Sequence, residues 1–250
     1  EDAIYVVSSA TALFNESSLI DILLIKFKLD GTIEWVKAIG TKDVDYGFSV
    51  FVDGKGNIYV AGSKGKNATF YVISPKGTME NYLWTANVTN RGYSIYVDEY
   101  SYVYIGGVIG ESGNAKALFL KYYGGILQAN TTIGVNQTTA SIYSIWGYRR
   151  HIYAAGYLKG TGTEMEDIAL FRFTTTGQLQ WNVTLTANAT DIGYGVCVSE
   201  KGNIYVVGKT TSFGAKGDGD LIIIKYEIPV VVGTKVQGSG SLYVASIVIF

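Results

Sequence analysis

Apolar residues in this chain fall into short runs separated by polar, glycine-rich breaks, and the runs have two textures. One is nearly continuous: ILLIKF (22–27), TFYVIS (69–74), ALFLKY (117–122), IALFRF (168–173) and LIIIKY (221–226). The other alternates apolar with small or polar positions, as in GFSVFVD (47–53) and GYSIYVD (92–98). Six or seven residues is strand length. A continuous run suits a strand covered on both faces, and an alternating run suits one with a polar side. No stretch keeps a helical period. The breaks carry Gly, Asn, Asp and Ser, as in DGKGN (53–57), which is turn chemistry.

The runs repeat. GNIYVAG (56–62) returns as GNIYVVG (202–208), with weaker copies SYVYIGG (101–107), RHIYAAG (150–156) and DAIYVVS (2–8), where Ser8 replaces the last glycine. The shared tyrosines, Tyr5, Tyr59, Tyr104, Tyr153 and Tyr205, are 54, 45, 49 and 52 residues apart. Each copy has room for four strands, A to D: an alternating run, the tyrosine element, a continuous run, and a last strand such as GTIEWVKA (31–38) or GQLQWNVTL (177–185). Four-stranded antiparallel units repeated radially are the β-propeller plan. The prediction is all-β: one domain over 1–250, a five-bladed β-propeller of four-stranded antiparallel blades. The approximate repeats are 1–45, 46–91, 92–140, 141–191 and 192–240, with 241–250 as a closing strand.

The pattern resembles the prokaryotic SBBP β-propeller repeat family, in which a strand ending like GNIYVAG precedes an apolar strand with Lys and then a strand with Gly and Trp. The likeness is clearest at 46–62 and 194–208, and the third repeat departs, with Ala129 where others have Trp35 and Trp181. It implies a fold, not an activity, because propellers host many functions.

The C-terminal run Ser241, Leu242, Tyr243, Val244, Ala245, Ser246, Ile247, Val248, Ile249, Phe250 is too short for a membrane helix. The first copy has no strand A ahead of Tyr5, and Ser246-Ile-Val-Ile-Phe250 matches Ser94-Ile-Tyr-Val-Asp98. Lys26, Lys121 and Arg172 each stand 23 residues before the next strand-A reference residue, and Lys225 stands 21 before Ser246. The expectation is that 241–250 supplies the inner strand of the first blade. Closure within one chain is the favoured reading. The GSGS linker (238–241) also permits exchange into a neighbouring copy, and head-to-tail exchange builds a filament.

Composition narrows the function. Net charge is −1 and no Lys/Arg run occurs, so no nucleic-acid partner is expected. A chain opening on Glu1 reads as a processed or trimmed product. Sequons stand at Asn15, Asn67, Asn87, Asn130, Asn136, Asn182 and Asn188, where roughly two would arise by chance. None lies in an A–B or C–D turn. This predicts a sugar-coated face and rim, with the opposite face, near 53–57, 149–151 and 201–202, left free for protein contacts.

The single histidine, His151, has no evident nucleophile partner, and Cys197 reads as a buried inert thiol. Asp21, Asp167 and Asp220 look like turn positions before strand C. Asp43, Asp45, Asp218 and Asp220 are at most a weak Ca²⁺ site, and no other cofactor is expected. Lys26, Lys121, Arg172 and Lys225 recur once per blade and read as structural or rim residues. Inner strands lack the paired acids a glycosidase needs.

The expectation is therefore a non-catalytic, secreted or cell-surface glycoprotein carrying covalent N-glycans. Its partners would be itself, as a filament, or other surface proteins. The alternative is a carbohydrate-binding or glycan-acting propeller. Many Tyr, Val and Ile with few His, Cys and Met suit a heat-tolerant, archaeal source.

Overall fold

In the computed structural model, residues 2–11, 20–41, 43–76, 78–84, 88–111, 113–134, 138–160, 165–185, 189–212, 219–226 and 244–249 are described. Nineteen strands and no helix occur among them. They form five antiparallel sheets in chain order. The first holds β1 (Ile4–Ala10), β2 (Asp21–Phe27) and β3 (Ile33–Ile39), and the second β4 (Asp45–Val52), β5 (Ile58–Lys64), β6 (Asn67–Ile73) and β7 (Met79–Trp84). The third holds β8 (Asn90–Val97), β9 (Val103–Ile109), β10 (Lys116–Tyr123) and β11 (Ile126–Ile133). The fourth holds β12 (Thr139–Tyr148), β13 (His151–Lys159), β14 (Asp167–Thr174) and β15 (Leu179–Leu185). The fifth holds β16 (Asp191–Val198), β17 (Ile204–Thr210), β18 (Asp220–Tyr226) and β19 (Val244–Ile249).

Period-two alternation feeds both faces of each middle strand. In β5, Ile58 and Val60 enter the core between the first and second sheets, while Tyr59 and Ala61 enter the core between the second and third. β14 does the same: Ala169, Phe171 and Phe173 face the third sheet, and Ile168 and Leu170 face the fifth. Such strands read as continuous apolar runs because neither face meets water. Four buried clusters fill the four gaps between consecutive sheets. Among the described residues none fills a gap between the fifth sheet and the first, and the outward faces there stay open: Ile4 is 47% and Val6 41% exposed on β1, Val207 40% on β17.

The conserved end of the tyrosine element has a steric cause. A Cβ on Gly62 would lie 1.9 Å from the Tyr46 carbonyl oxygen, and one on Gly107, Gly156 or Gly208 would meet the corresponding oxygen of Arg91, Ser141 or Ile192 at 1.9, 1.8 and 2.1 Å. The glycine admits the close approach of the sheet's first strand. Ser8 holds this place in β1, beside which no such strand lies among the described residues.

The C-terminal segment is not where spacing placed it. β19 lies on β18 as the fourth strand of the fifth sheet, with Ser246 opposite Lys225 and Ile249 opposite Ile222. It does not complete the first sheet, which has three strands among the described residues. Spacing counts strands but does not choose between two edges wanting a partner, and the outer edge of β18 carries unpaired donors and acceptors of its own. The fit there is specific. A register shift follows the basic residue at Lys225/Tyr226, as it does at Lys26/Phe27, Lys121/Tyr122 and Arg172/Phe173 where β2, β10 and β14 meet their own fourth-position strands.

Candidate functional site

The first strands of the second to fifth sheets pack side by side, and two regular features mark them. Each carries a β-bulge whose extra residue is aromatic: Phe48, Tyr93, Tyr143 and Tyr194. A bulge re-aims its side chain, and here the four rings meet in series, with centroids 5.0, 5.3 and 5.4 Å apart. Burial, with neighbouring Tyr157 and Tyr93, pushes the Tyr143 hydroxyl up to about 12. The residue after the bulge is a serine that ties its sheet to the next. Ser49 Oγ accepts from Ile95 N at 3.3 Å, Ser94 Oγ from Ile145 N at 3.1 Å, and Ser144 Oγ from Val196 N at 3.2 Å. Gly195 interrupts the series in the fifth sheet. An aromatic residue stands directly before four of the five strand-A reference residues, Ala245 before Ser246 being the exception.

The second feature is a cleft of about 550 Å³ between the third and fourth sheets. It lies on the face of the A–B and C–D turns, which carries no sequon. On its third-sheet wall the turn after β8 is locked by one carboxylate. Asp98 Oδ1 accepts from Tyr100 N (3.0 Å) and Tyr102 N (2.9 Å), and Oδ2 accepts from the Tyr104 hydroxyl at 3.0 Å. Burial first, then the Asp98 charge and hydrogen bond, push the Tyr104 hydroxyl far above its ordinary value. Lys121 Nζ sits 3.8 Å from the centre of the Tyr102 ring, and desolvation lowers its pKa.

The second sheet repeats the lock. Asp53 Oδ1 accepts from Lys55 N and Asn57 N, both at 2.9 Å, and Oδ2 from the Tyr59 hydroxyl at 3.1 Å. Burial alone would raise the Asp53 carboxyl; the bonds from Asn57, Lys55 and Tyr59 outweigh it and hold it below the usual range. Burial and that same bond push Tyr59 up to about 12.

The fourth-sheet wall breaks the pattern. Tyr148 replaces the aspartate, and a two-residue turn, Arg149-Arg150, replaces the longer one. Arg149 (φ 46) and Arg150 (φ 63) are left-handed, as is Ser101 (φ 65) across the cleft; Gly56 (φ 81) and Gly202 (φ 87) serve that role in the second and fifth sheets. Non-glycine residues in this region cost about 1–2 kcal/mol each. Gly147 stands where Val52, Val97 and Val198 stand elsewhere, and its Cβ would fall 2.0 Å from the Tyr96 ring. The Arg149 guanidinium lies over the Tyr148 ring, 5.1 Å from its centre. His151 turns away from nucleophile chemistry: Nδ1 lies 2.9 Å from the Arg149 carbonyl oxygen and Nε2 2.7 Å from Arg172 Nη2. Burial and the Arg172 charge lower its pKa.

The other predicted residues fall as follows. Cys197 is exposed, not buried, because it points away from the core that Val196 and Val198 enter, toward a side that no sheet covers among the described residues. Asp45 is fully buried and its carboxylate is occupied, Oδ2 by Thr41 N (2.6 Å) and Oγ1 (2.8 Å) and Oδ1 by Gly65 N (3.1 Å), so it caps a loop instead of facing a cation. Asp191 does the same with Thr211 N and Ser212 Oγ. Asp218 lies outside the described residues, among which no group of three His, Cys, Asp or Glu could hold a metal. Asp21, Asp167 and Asp220 open β2, β14 and β18. Of the recurring cations, Lys26 pairs with Glu34 at 2.8 Å, while Lys121 and Arg172 turn to the cleft wall and its histidine. Asn130 and Asn182 are exposed on β11 and β15, and Asn67 is half-buried at the start of β6. Asn15, Asn87, Asn136 and Asn188 lie outside the described residues, as do Ser241, Leu242, Tyr243 and Phe250.

Sheets of this kind, repeated in series with cores between their faces, define a β-propeller repeat protein. Residues 34–63 and 180–214 match the SBBP family model, a beta-propeller repeat, which supports the family resemblance read from the sequence. No curated protein sequence matches the chain. Among solved structures it is similar to Drosophila Plexin A in complex with Semaphorin 1b (9% identity, 88% of this chain and 51% of that one, TM-score 0.54). It is likewise similar to the extracellular domains 1-2 of Drosophila Semaphorin 1b (8%, 90% and 52%, 0.54). A third likeness is to a subtype N10 neuraminidase-like protein of A/little yellow-shouldered bat/Guatemala/060/2010 (12%, 88% and 75%, 0.50). The chain spans about half the length of the plexin and semaphorin chains. At these identities the likeness shows the fold alone, and that fold is compatible with catalytic and non-catalytic roles. Among the described residues no helix is long and apolar enough to cross a membrane.

Proposed function

We propose that this chain is a non-catalytic, secreted or cell-surface glycoprotein, a five-bladed propeller that works by binding other protein chains, copies of itself included. The observation that carries this reading is the inner edge of the first sheet, which no strand pairs among the described residues. Ile4 and Val6 stand half in water, where their counterparts Ile58 and Val60 in β5 are 4% and 0% exposed, packed against the first sheet with β4 paired alongside. A strand added along β1 would continue the row of first strands and narrow the solvent-facing side on which Ile4 and Val6 stand. Each side chain so covered is worth at most about 1 kcal/mol, before the backbone hydrogen bonds of the new ladder.

The occupant is the C-terminal strand of a second copy. Its Ser246 stands in the serine register, so that seated on β1 its hydroxyl falls to Val50 N of the second sheet as Ser49 falls to Ile95 N. Ser8 sets a condition: with a Cβ where the other sheets have glycine, the incoming strand pairs without a bulge, and Ala245 stands where the bulged aromatic would be. Strand release from β18 and capture by a neighbour's β1 is head-to-tail and yields a filament. N-glycans at the seven sequons would coat the opposite face; glycopeptide mass spectrometry finding sugar there, and none on the A–B turns, is the expected outcome.

The test pairs single-cysteine chains in a Cys197→Ser background. Val6→Cys chains are mixed with Ile247→Cys chains, since the β4–β5 register puts these positions opposite each other. A disulfide-linked heterodimer is expected, together with fibres by electron microscopy that disappear on truncation after Gly240. If the doubly substituted chain cross-links only within itself, closure is intramolecular and self-assembly by exchange is wrong. If no cross-link forms, the strand belongs to the fifth sheet alone.

A further inference from the structure

Three departures from the repeat coincide at the cleft between the third and fourth sheets. Gly147 removes the valine side chain that other sheets place there, and the Tyr96 ring lies where its Cβ would be. Tyr148 and a two-residue turn replace the aspartate-locked turn. Of the three left-handed non-glycine residues among those described, Arg149 and Arg150 line the opening, and Ser101 lies in the turn between its lining residues Tyr100 and Tyr102. A turn that would be relaxed with Asn-Gly instead keeps two arginines in an unfavourable backbone region, and such strain persists where a side chain is needed.

We propose that this cleft binds an anionic glycan, a short oligosaccharide bearing carboxylate or sulfate groups. The volume, about 550 Å³, lies in the range of small-molecule sites. The walls supply tyrosine rings from both sheets, Tyr100 among them at 68% exposure, which are flat faces for pyranose rings. Three cations, Lys121, Arg149 and Arg150, face two acids, Asp98 and the exposed Glu99, so the lining is net positive. Asp98 spends both carboxylate oxygens on its own turn and on Tyr104, whereas Arg149 and Arg150 are exposed at the rim and Lys121 is held on the wall over Tyr102. Planar guanidinium groups pair with carboxylate or sulfate oxygens two bonds at a time. The site does not depend on strand exchange, since neither β1 nor the C-terminal strand borders it.

Titration calorimetry with the full chain tests this, using trigalacturonate, a chondroitin sulfate tetrasaccharide, neutral galactotriose and pentaglutamate as probes. Saturable binding of one or both anionic sugars is expected, several-fold weaker between low and high salt, and which of the two binds distinguishes carboxylate from sulfate recognition. The decisive variant is Arg149→Asn with Arg150→Gly, which suits the turn better: its unfolding temperature is expected to hold or rise while affinity falls at least about tenfold. Tyr100→Ala, at an exposed position, is expected to weaken binding with no loss of stability. Failure of both anionic sugars to bind, equal binding of galactotriose, equal binding of pentaglutamate, or unchanged affinity in the Asn-Gly variant would each overturn the proposal.

Discussion

Ile4-Tyr5-Val6 and Ile58-Tyr59-Val60 are the same three residues at the same place in the repeat, and they end in different surroundings. Both form strands that pair with the next strand in identical register, Tyr5 with Lys26 and Tyr59 with Val72. Yet Ile58 and Val60 are buried while Ile4 and Val6 are nearly half exposed. The tripeptide decides that a strand forms. Its burial is conferred by what stands beside it, a first strand on one edge and a neighbouring sheet on each face.

The largest way to break the comparison is at the isoleucines. Ile58→Ala should cost about 2–5 kcal/mol in urea unfolding of the dilute chain, and Ile4→Ala within about 1 kcal/mol. If a second copy covers β1, the difference shrinks as protein concentration rises. Next comes the glycine that admits the first strand. Gly62→Ser drives a Cβ into the Tyr46 carbonyl and should cost about 1–3 kcal/mol, while Ser8→Gly, where no strand presses, stays within about 1 kcal/mol. A Gly62→Ser chain as stable as its parent would sink the close-approach argument.

Smaller still is the serine series. Ser94→Ala removes an acceptor from Ile145 N and should cost about 1 kcal/mol, whereas Ser246→Ala should leave the dilute chain unchanged and weaken assembly. Smallest is pH. The lowered pKa of His151 means the folded chain resists its protonation, so its contribution is complete above the ordinary histidine value of about 6.5 and is lost as pH falls below it. Melting temperatures at pH 7.5 and 5 should diverge less in His151→Gln than in the parent.

Much of this was legible in the residues. Repeats, strand textures and Gly/Asp turns predict the four-strand meanders of the second, third and fourth sheets, because each element there has its full set of neighbours and local preference agrees with context. Where neighbours are missing, prediction weakened. Ser246 fits two edges by count, and only pairing geometry next to Lys225 distinguishes them. Cys197 alternates like a buried residue but faces a side that no sheet covers among the described residues. The cleft was hidden for another reason: Gly147 and the Arg-Arg turn lie on one repeat and Tyr100 and Lys121 on another, and the departures look like drift until two sheets bring them to one opening. His151 was read as isolated, since nothing in sequence places Arg172, 21 residues on, against its ring.

Among the described residues four gaps are filled and none is filled between the fifth and first sheets, so the described sheets form a row with two ends. In such a row each unit leans only on its neighbours, as in a solenoid. Amide hydrogen exchange should therefore be graded, slowest in β9, β10, β13 and β14 of the third and fourth sheets and fastest in the first and fifth, which can fray separately. Closing the last gap, by a strand from the same chain or another, would erase that gradient and turn a chain that melts from its ends into one that unfolds all at once.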